Sequence, residues 1–281
     1  MSDKADFPPI NRLDPLNYFL FEKMFGEKGD EPQLLSFLKP VLARTGRDLQ
    51  DIEIVQDKTF TPETISDKKA VLDVRARMTD GTRCNIEVQR KDRFNFDKRS
   101  LYYWGREYVK GIKTGQDYLE LPDVIVVNIL DFNHFTLEDF HTSFHLYEDR
   151  HKDFLLTNAE EIHYIEIPKF RAIPEKDVHA NPLHRWLTYM DIETPLPIIQ
   201  EVIEMDPAIA KAQEVMDFIS QNEAMFHVYE MHQLALSDEA TALKSERREG
   251  RNEGRNEVIE LMEKGYTVQQ IKELLASQRA I

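Results

Sequence analysis

Hydrophobic positions change their period several times along the chain, and each change predicts an element. In LNYFLFEKMFGE (16–27), Phe19, Phe21 and Phe25 fall on one side of a short helix that Gly26 would end. PQLLSFLKPVLAR (32–44) places Leu34, Leu35, Leu38, Val41 and Leu42 at helical spacing. DIEIVQDKTF (51–60) alternates and predicts a strand leading to a hairpin within residues 67–94. A helix is expected from Asp97, as its cap, to Gly115, rich in aromatics at Tyr102, Tyr103, Trp104 and Tyr108. VIVVNIL (124–130) is a continuous run of strand length, apolar but for Asn128, the pattern of a strand covered on both sides. A helix and short strands should then lead to a last strand, IHYIEIPKF (162–170). Beyond Pro174, Pro182, Pro195 and Pro197 the texture changes, and residues 198–234 and 238–276 read as almost wholly helical. Periodicity alone supports a mixed α/β fold.

The hairpin can be read more finely. Its strands run from Val71 to Met78 and from Arg83 to Gln89, around the turn pair Asp80-Gly81. A two-residue loop would set Val74 opposite Glu87 and Asp73 opposite Val88, mixing apolar and polar side chains on both faces. A three-residue loop, Thr79-Asp80-Gly81 with a left-handed glycine, sets Leu72 against Val88, Val74 against Ile86 and Ala76 against Cys84. That face is entirely apolar, so burial selects the second register.

The same register puts Asp73 opposite Glu87 on the other face, with Gln89 two residues along. Directly opposed like charges repel at β-carbon separations of ~4.5–5.5 Å. A divalent cation between the carboxylates would relieve that repulsion, and hard oxygen donors suit magnesium or manganese. A surface salt-bridge ladder with Arg75, Arg77 and Arg83 on the same face is the alternative.

Composition narrows the field. The 281 residues can bury a real core, and 41% hydrophobic with 31% charged residues is a globular composition. One cysteine, Cys84, excludes an internal disulfide framework, and its place on the apolar hairpin face argues against a thiol nucleophile. MSDKADFPPINRLDP lacks the regions of a signal peptide, and VIVVNIL is too short to span a bilayer, so cytoplasmic residence without membrane attachment is expected. No Gly-rich phosphate loop or other organic-cofactor motif is present. A net charge of −15, from 36 basic and 51 acidic residues, opposes general nucleic-acid affinity. RKDRFNFDKR (90–99) concentrates five basic residues just after Gln89, either as a contact for a phosphate backbone or as a solvated loop.

LDV, a turn and then IEVQ resemble the Asp…Glu-x-Lys signature of the PD-(D/E)XK nuclease superfamily, and in particular its transposase-like branch of recombination-promoting nucleases. NYFLFEKMFGE is similar to that branch's opening helix. FDKRSLYYWGREYVKGIKTGQDYLELPDVIVVNILDF (96–132) is similar to its central helix and next strand, and IHYIEIPKF to its last core strand. The resemblance covers residues 13–190, and the tail is similar too. It implies a restriction-endonuclease-like core, αβββαβ, over 13–172, a helical extension over 173–236 and a charged helical tail over 237–281.

The resemblance implies a magnesium-dependent DNA endonuclease, manganese serving as well, in recombination or mobile-element biology. Asp73 and Glu87 would ligate the ion with the carbonyl of Val88, and Gln89 would stand where the superfamily has lysine. An amide can orient a water but brings neither charge nor a proton acceptor. Lys91, on the same face, is a candidate substitute. Glu22 occupies the position of a first-helix acid, and Asp57 could complete a metal shell. Arg99, Tyr102 and Tyr103, in RSLYY, are candidates for phosphate contact or for packing. The competing reading is a PD-(D/E)XK fold without catalysis, acting as a binding or assembly module. RNA as substrate stays open.

Two other patterns need weighing. His141 and His145 would share one face of a helix, as a zinc pair does, but no recognisable third and fourth ligand follows. ERREGRNEGRNEVIELMEKG aligns Arg247, Arg251 and Arg255 in one row, Glu249, Glu253 and Glu257 in another, and Gly250 with Gly254 in a third. Such like-charge rows suit either a second copy packed along the glycines, giving a homodimer, or an exposed linker. GYTVQQIKELLAS resembles the first half of a helix-turn-helix, and no recognition helix follows it.

Overall fold

The computed structural model describes residues 12–55, 74–92 and 95–278. Six strands form one mixed sheet in the order β1-β2-β3-β4-β6-β5. They are β1 (Ile52–Ile54), β2 (Val74–Met78), β3 (Arg83–Gln89), β4 (Val124–Leu130), β5 (His141–Phe144) and β6 (Glu160–Glu166). Pairing is antiparallel for β1/β2, β2/β3 and β5/β6, and parallel for β3/β4 and β4/β6. Parallel neighbours need a crossover, and helix α3 (Phe96–Val109) supplies the one between β3 and β4.

One sheet face carries the main core. Val74, Ala76, Cys84, Ile86, Val88, Ile125, Val127 and Ile129 pack there with α1 (Tyr18–Phe25) and α2 (Glu31–Leu42). Four helices follow the last strand: α4 (Ile167–Arg171), α5 (Pro182–Met190), α6 (Leu196–Met205) and α7 (Pro207–Gln221). Trp186 of α5 is fully buried, 5.2 Å from the Phe25 ring and 6.2 Å from Phe37, with Nε1 donating to Ser36 Oγ at 3.0 Å. Trp186→Ala removes this wedge and is expected to cost about 3–5 kcal/mol, read as a lower urea midpoint. The opposite face is covered by α3, with Phe96 among Val124, Val126, Leu130, Ile162 and Tyr164.

Two compact units divide the chain, Met1–His232 and Gln233–Ile281. Helix α8 (Glu223–Glu263) runs through Gly250 and Gly254, and α9 (Val268–Gln278) follows. A β-carbon at either glycine would meet nothing within 4 Å.

Several boundaries differ from the sequence reading. The helix expected to reach Gly115 ends at Val109, with Lys110 at its C-cap. The chain then turns through Gly111, which lies so close to Pro122 that a β-carbon would stand 2.3 Å from Cδ. Asn95, not Asp97, is the N-cap residue, and Asp97 sits in the first turn. The last strand stops at Glu166, because Pro168 opens the short helix α4. DFHTSFHLYED forms strand β5 and an extended bridge from Tyr147 to Leu155 where a helix was expected, pairing with the outer edge of β6. The strand predicted over 51–60 is described only as Ile52–Ile54, its remainder lying outside the described residues.

Candidate active site

The hairpin folds in the predicted register. Val74 pairs with Ile86, Arg75 with Asn85, Ala76 with Cys84 and Arg77 with Arg83. The connection is Thr79-Asp80-Gly81, closed by Met78 N–H donating to Thr82 O at 2.8 Å, and Gly81 takes φ +88°. A side chain other than glycine would be strained at that angle. The alternation of β3 sends Cys84, Ile86 and Val88 into the main core and Asn85, Glu87 and Gln89 to the face beneath α3. Burial raises the Cys84 thiol well above its ordinary range, so it is inert as a nucleophile.

Glu87 is 1% exposed. Arg99 of α3 approaches it, Nη2 standing 3.5 Å from Oε2. The guanidinium is also held over two rings, 5.3 Å from Phe96 and 5.7 Å from Tyr103. Gln89 is buried on the same face, and its carbonyl accepts from Asp131 N–H at 2.9 Å. Arg83 N–H likewise donates across to Asp123 beside β4. Odd-numbered residues of β3 therefore turn their backbone groups toward β4, and the Val88 carbonyl turns to the β2 side. Asp73 and Asp57, the expected partners there, lie outside the described residues.

Parallel pairing brings in residues the sequence reading did not single out. Asn128 of β4 is the neighbour of Glu87 on one side and of Tyr164 on the other. Its Nδ2 donates to Ser100 Oγ at 3.0 Å and to His163 O at 3.1 Å, while its buried Oδ1 accepts from no described group. Burial pushes the Tyr164 hydroxyl up to about 12, against a hydrogen bond from Ser100 and beside Asp97 and Glu87. The one signal for Asn128 was a polar residue inside the apolar run VIVVNIL. A buried carboxylate and a buried amide oxygen without a donor form an oxygen donor set suited to a hard divalent cation. Among the described residues no group of three or more His, Cys, Asp or Glu side chains gathers as a metal site. An ion here would need Asp73 as well.

The remaining candidates lie on or beside three elements. Tyr102 is 64% exposed and meets Tyr103 edge-on, ring centroids 5.7 Å apart. Lys91 follows β3 in a bend and is half-buried. Glu22 flanks Gly26, where a β-carbon would lie 2.8 Å from Glu22 Cγ and 3.5 Å from Val74 Cγ2. Two arginines of the basic stretch after Gln89 meet carboxylates: Arg90 meets Asp14 at 2.7 Å and Asp131 at 3.6 Å, and Arg99 meets Glu87. The two histidines weighed as a zinc pair belong to a buried network. His141 Nε2 is 2.9 Å from His163 Nδ1, His163 Nε2 is 2.8 Å from Glu161 Oε1, and His145 Nε2 is 3.8 Å from Glu161 Oε2.

Among the described residues no helix is long and apolar enough to cross a membrane. Neither curated proteins nor solved structures gave a match. A family model described as PD-(D/E)XK nuclease family transposase matches residues 15–246, and the six-stranded mixed sheet flanked by helices is consistent with that fold. The chain belongs to the PD-(D/E)XK nuclease family transposases.

Proposed function

We propose that this chain is a metal-dependent DNA endonuclease, hydrolysing phosphodiester bonds in recombination or mobile-element biology. The observation that carries the reading is Glu87: a carboxylate buried on the helix-covered face, at the end of a hairpin whose described register, taken one residue further, would oppose it to Asp73. Asp73, Glu87 and the Val88 carbonyl would hold magnesium or manganese, with Asn128 as neighbouring oxygen donor. A bound ion of this kind lowers the pKa of a coordinated water and offsets charge on the scissile phosphate. Gln89 would orient that water through its amide without taking its proton. Arg99, clamped over Phe96 and Tyr103, balances Glu87 and sits where a phosphate would arrive.

Nicking of supercoiled plasmid in magnesium or manganese, compared with EDTA, tests this reading. Wild type is expected to nick and Asp73→Ala to lose nicking; equal activity in the two overturns the assignment. A second reading, a binding module without catalysis, is favoured by Gln89 in the lysine position and by the arginine already facing Glu87. On that reading neither protein nicks, and manganese gives no bound signal in electron paramagnetic resonance.

A further inference from the structure

The chain is acidic overall, yet one hollow in it is basic. A cavity of about 380 Å³ opens between the β2–β3 hairpin and the last turn of α3, lined in part by Arg75, Arg77, Arg83, Asn85, Glu107 and Lys110. The arginines and Asn85 occupy the strand face that carries Glu87. The helix joins the two places. Its Arg99 reaches Glu87, and two to three turns later Arg83 Nη1 and Nη2 donate to the carbonyls of Glu107 and Lys110 at 3.2 and 3.4 Å.

Glu107 is the only carboxylate among the described lining residues, and it is shared. It lies 3.1 Å from Lys110 Nζ, 3.8 Å from Arg83 Nη1 and 3.9 Å from Arg75 Nε. Arg77 is exposed and has no carboxylate within 4 Å among the described residues. On the floor, Asn85 is 2% exposed and its Oδ1 accepts no hydrogen bond from any described group. Among the described residues, the cavity is therefore short of negative charge around Arg77 and of a donor at its floor. A phosphate with its bound water, or a sugar hydroxyl, supplies both.

We infer that this cavity is a second phosphate-binding subsite, which holds the backbone of a nucleic-acid strand away from the point of cleavage. The inference takes its ligand class from the proposed function but does not require catalysis. Arg83 and Glu87 are four residues apart on one strand, about 13 Å. At ~3.4 Å per nucleotide of a stacked strand, that is about four phosphates. Direction follows from charge as well. The adjoining hollow beyond the turn, which shares Arg77 and Arg83, is lined by Asp80, Glu120 and Asp123 and repels a phosphate. The strand is thus led along the sheet face toward Glu87.

The test is binding of a fluorescent single-stranded 20-mer in EDTA, across a salt series. The Arg77→Ala/Lys110→Ala double variant removes two exposed cations; its slope of log affinity against log salt should fall by about 1.4, with affinity at 50 mM salt lower on the order of tenfold. Glu107→Gln should bind more tightly with a steeper slope, a gain that misfolding cannot produce. Unchanged slopes in both variants overturn the subsite. A mononucleotide that competes as well as the 20-mer would identify a free-nucleotide pocket and overturn the strand assignment. If the double variant loses binding while wild type never nicks, only the catalytic reading falls. If wild type nicks and the double variant binds equally well, only the subsite falls.

Discussion

Glu87→Gln is expected to lower metal-dependent plasmid nicking by on the order of 10²–10³-fold, the loss typical when a charge-stabilising group is removed from an active centre. The substitution keeps the volume and one carbonyl oxygen, so packing beneath α3 is retained. What disappears is the charge that would hold a cation, at a position 1% exposed where water cannot replace it. Arg99 keeps its places over Phe96 and Tyr103, so the helix has little reason to move. Nicking rate and thermal midpoint should be measured together. A stable variant that nicks like wild type would remove Glu87 from the chemistry.

Acid should unfold the protein in two stages that belong to the network behind β6. Burial, with the neighbouring His163 and Arg44 adding to it, holds His141 down at about 3. Between pH 6.5 and 3 the unfolded chain therefore binds a proton that the folded chain refuses. Stability is full above pH 6.5 and falls as pH drops, by up to about 1.4 kcal/mol per pH unit. Burial alone would raise Glu161, but hydrogen bonds from His163 and Thr45 and the charges of His163 and Arg47 outweigh it and hold the group at about 2. Its contribution is present above pH 4.5 and is lost as pH falls toward 2. Urea denaturation at pH 7, 5 and 3 reads both windows. His141→Gln, which retains a donor toward His163, should flatten the loss between pH 6.5 and 4.5; Glu161→Gln should flatten the loss below 4.5. Parallel profiles in wild type and His141→Gln would show that this imidazole is not the titrating group.

The hairpin was legible because its information is local. Val74, Ala76, Cys84 and Ile86 form an apolar face in only one register, and Gly81 tolerates the left-handed turn that register needs. VIVVNIL was legible for a similar reason, since a nearly unbroken apolar run of strand length fits a strand covered on both faces. DFHTSFHLYED misled because histidines four apart match a helix as well as a short strand, and the available edge of β6 decided between them. The basic stretch after Gln89 left two readings open, a surface for phosphate or a solvated loop. Asp14 and Asp131, distant in sequence, neutralise its Arg90, while the cations of the cavity come from the hairpin and from the end of α3.

The sequence by itself determined which residues alternate to which side of β3, and hence that Glu87 and Gln89 turn away from Cys84, Ile86 and Val88. Only the tertiary structure decided what stands beside them: Asn128 from the next parallel strand, Arg99 from the crossover helix, and Arg83 bound to that helix's last turn. The physical reason is range. A side chain's face follows from backbone pleat within a few residues, whereas its neighbours follow from the order β1-β2-β3-β4-β6-β5, which the burial of both sheet faces selects across the whole fold.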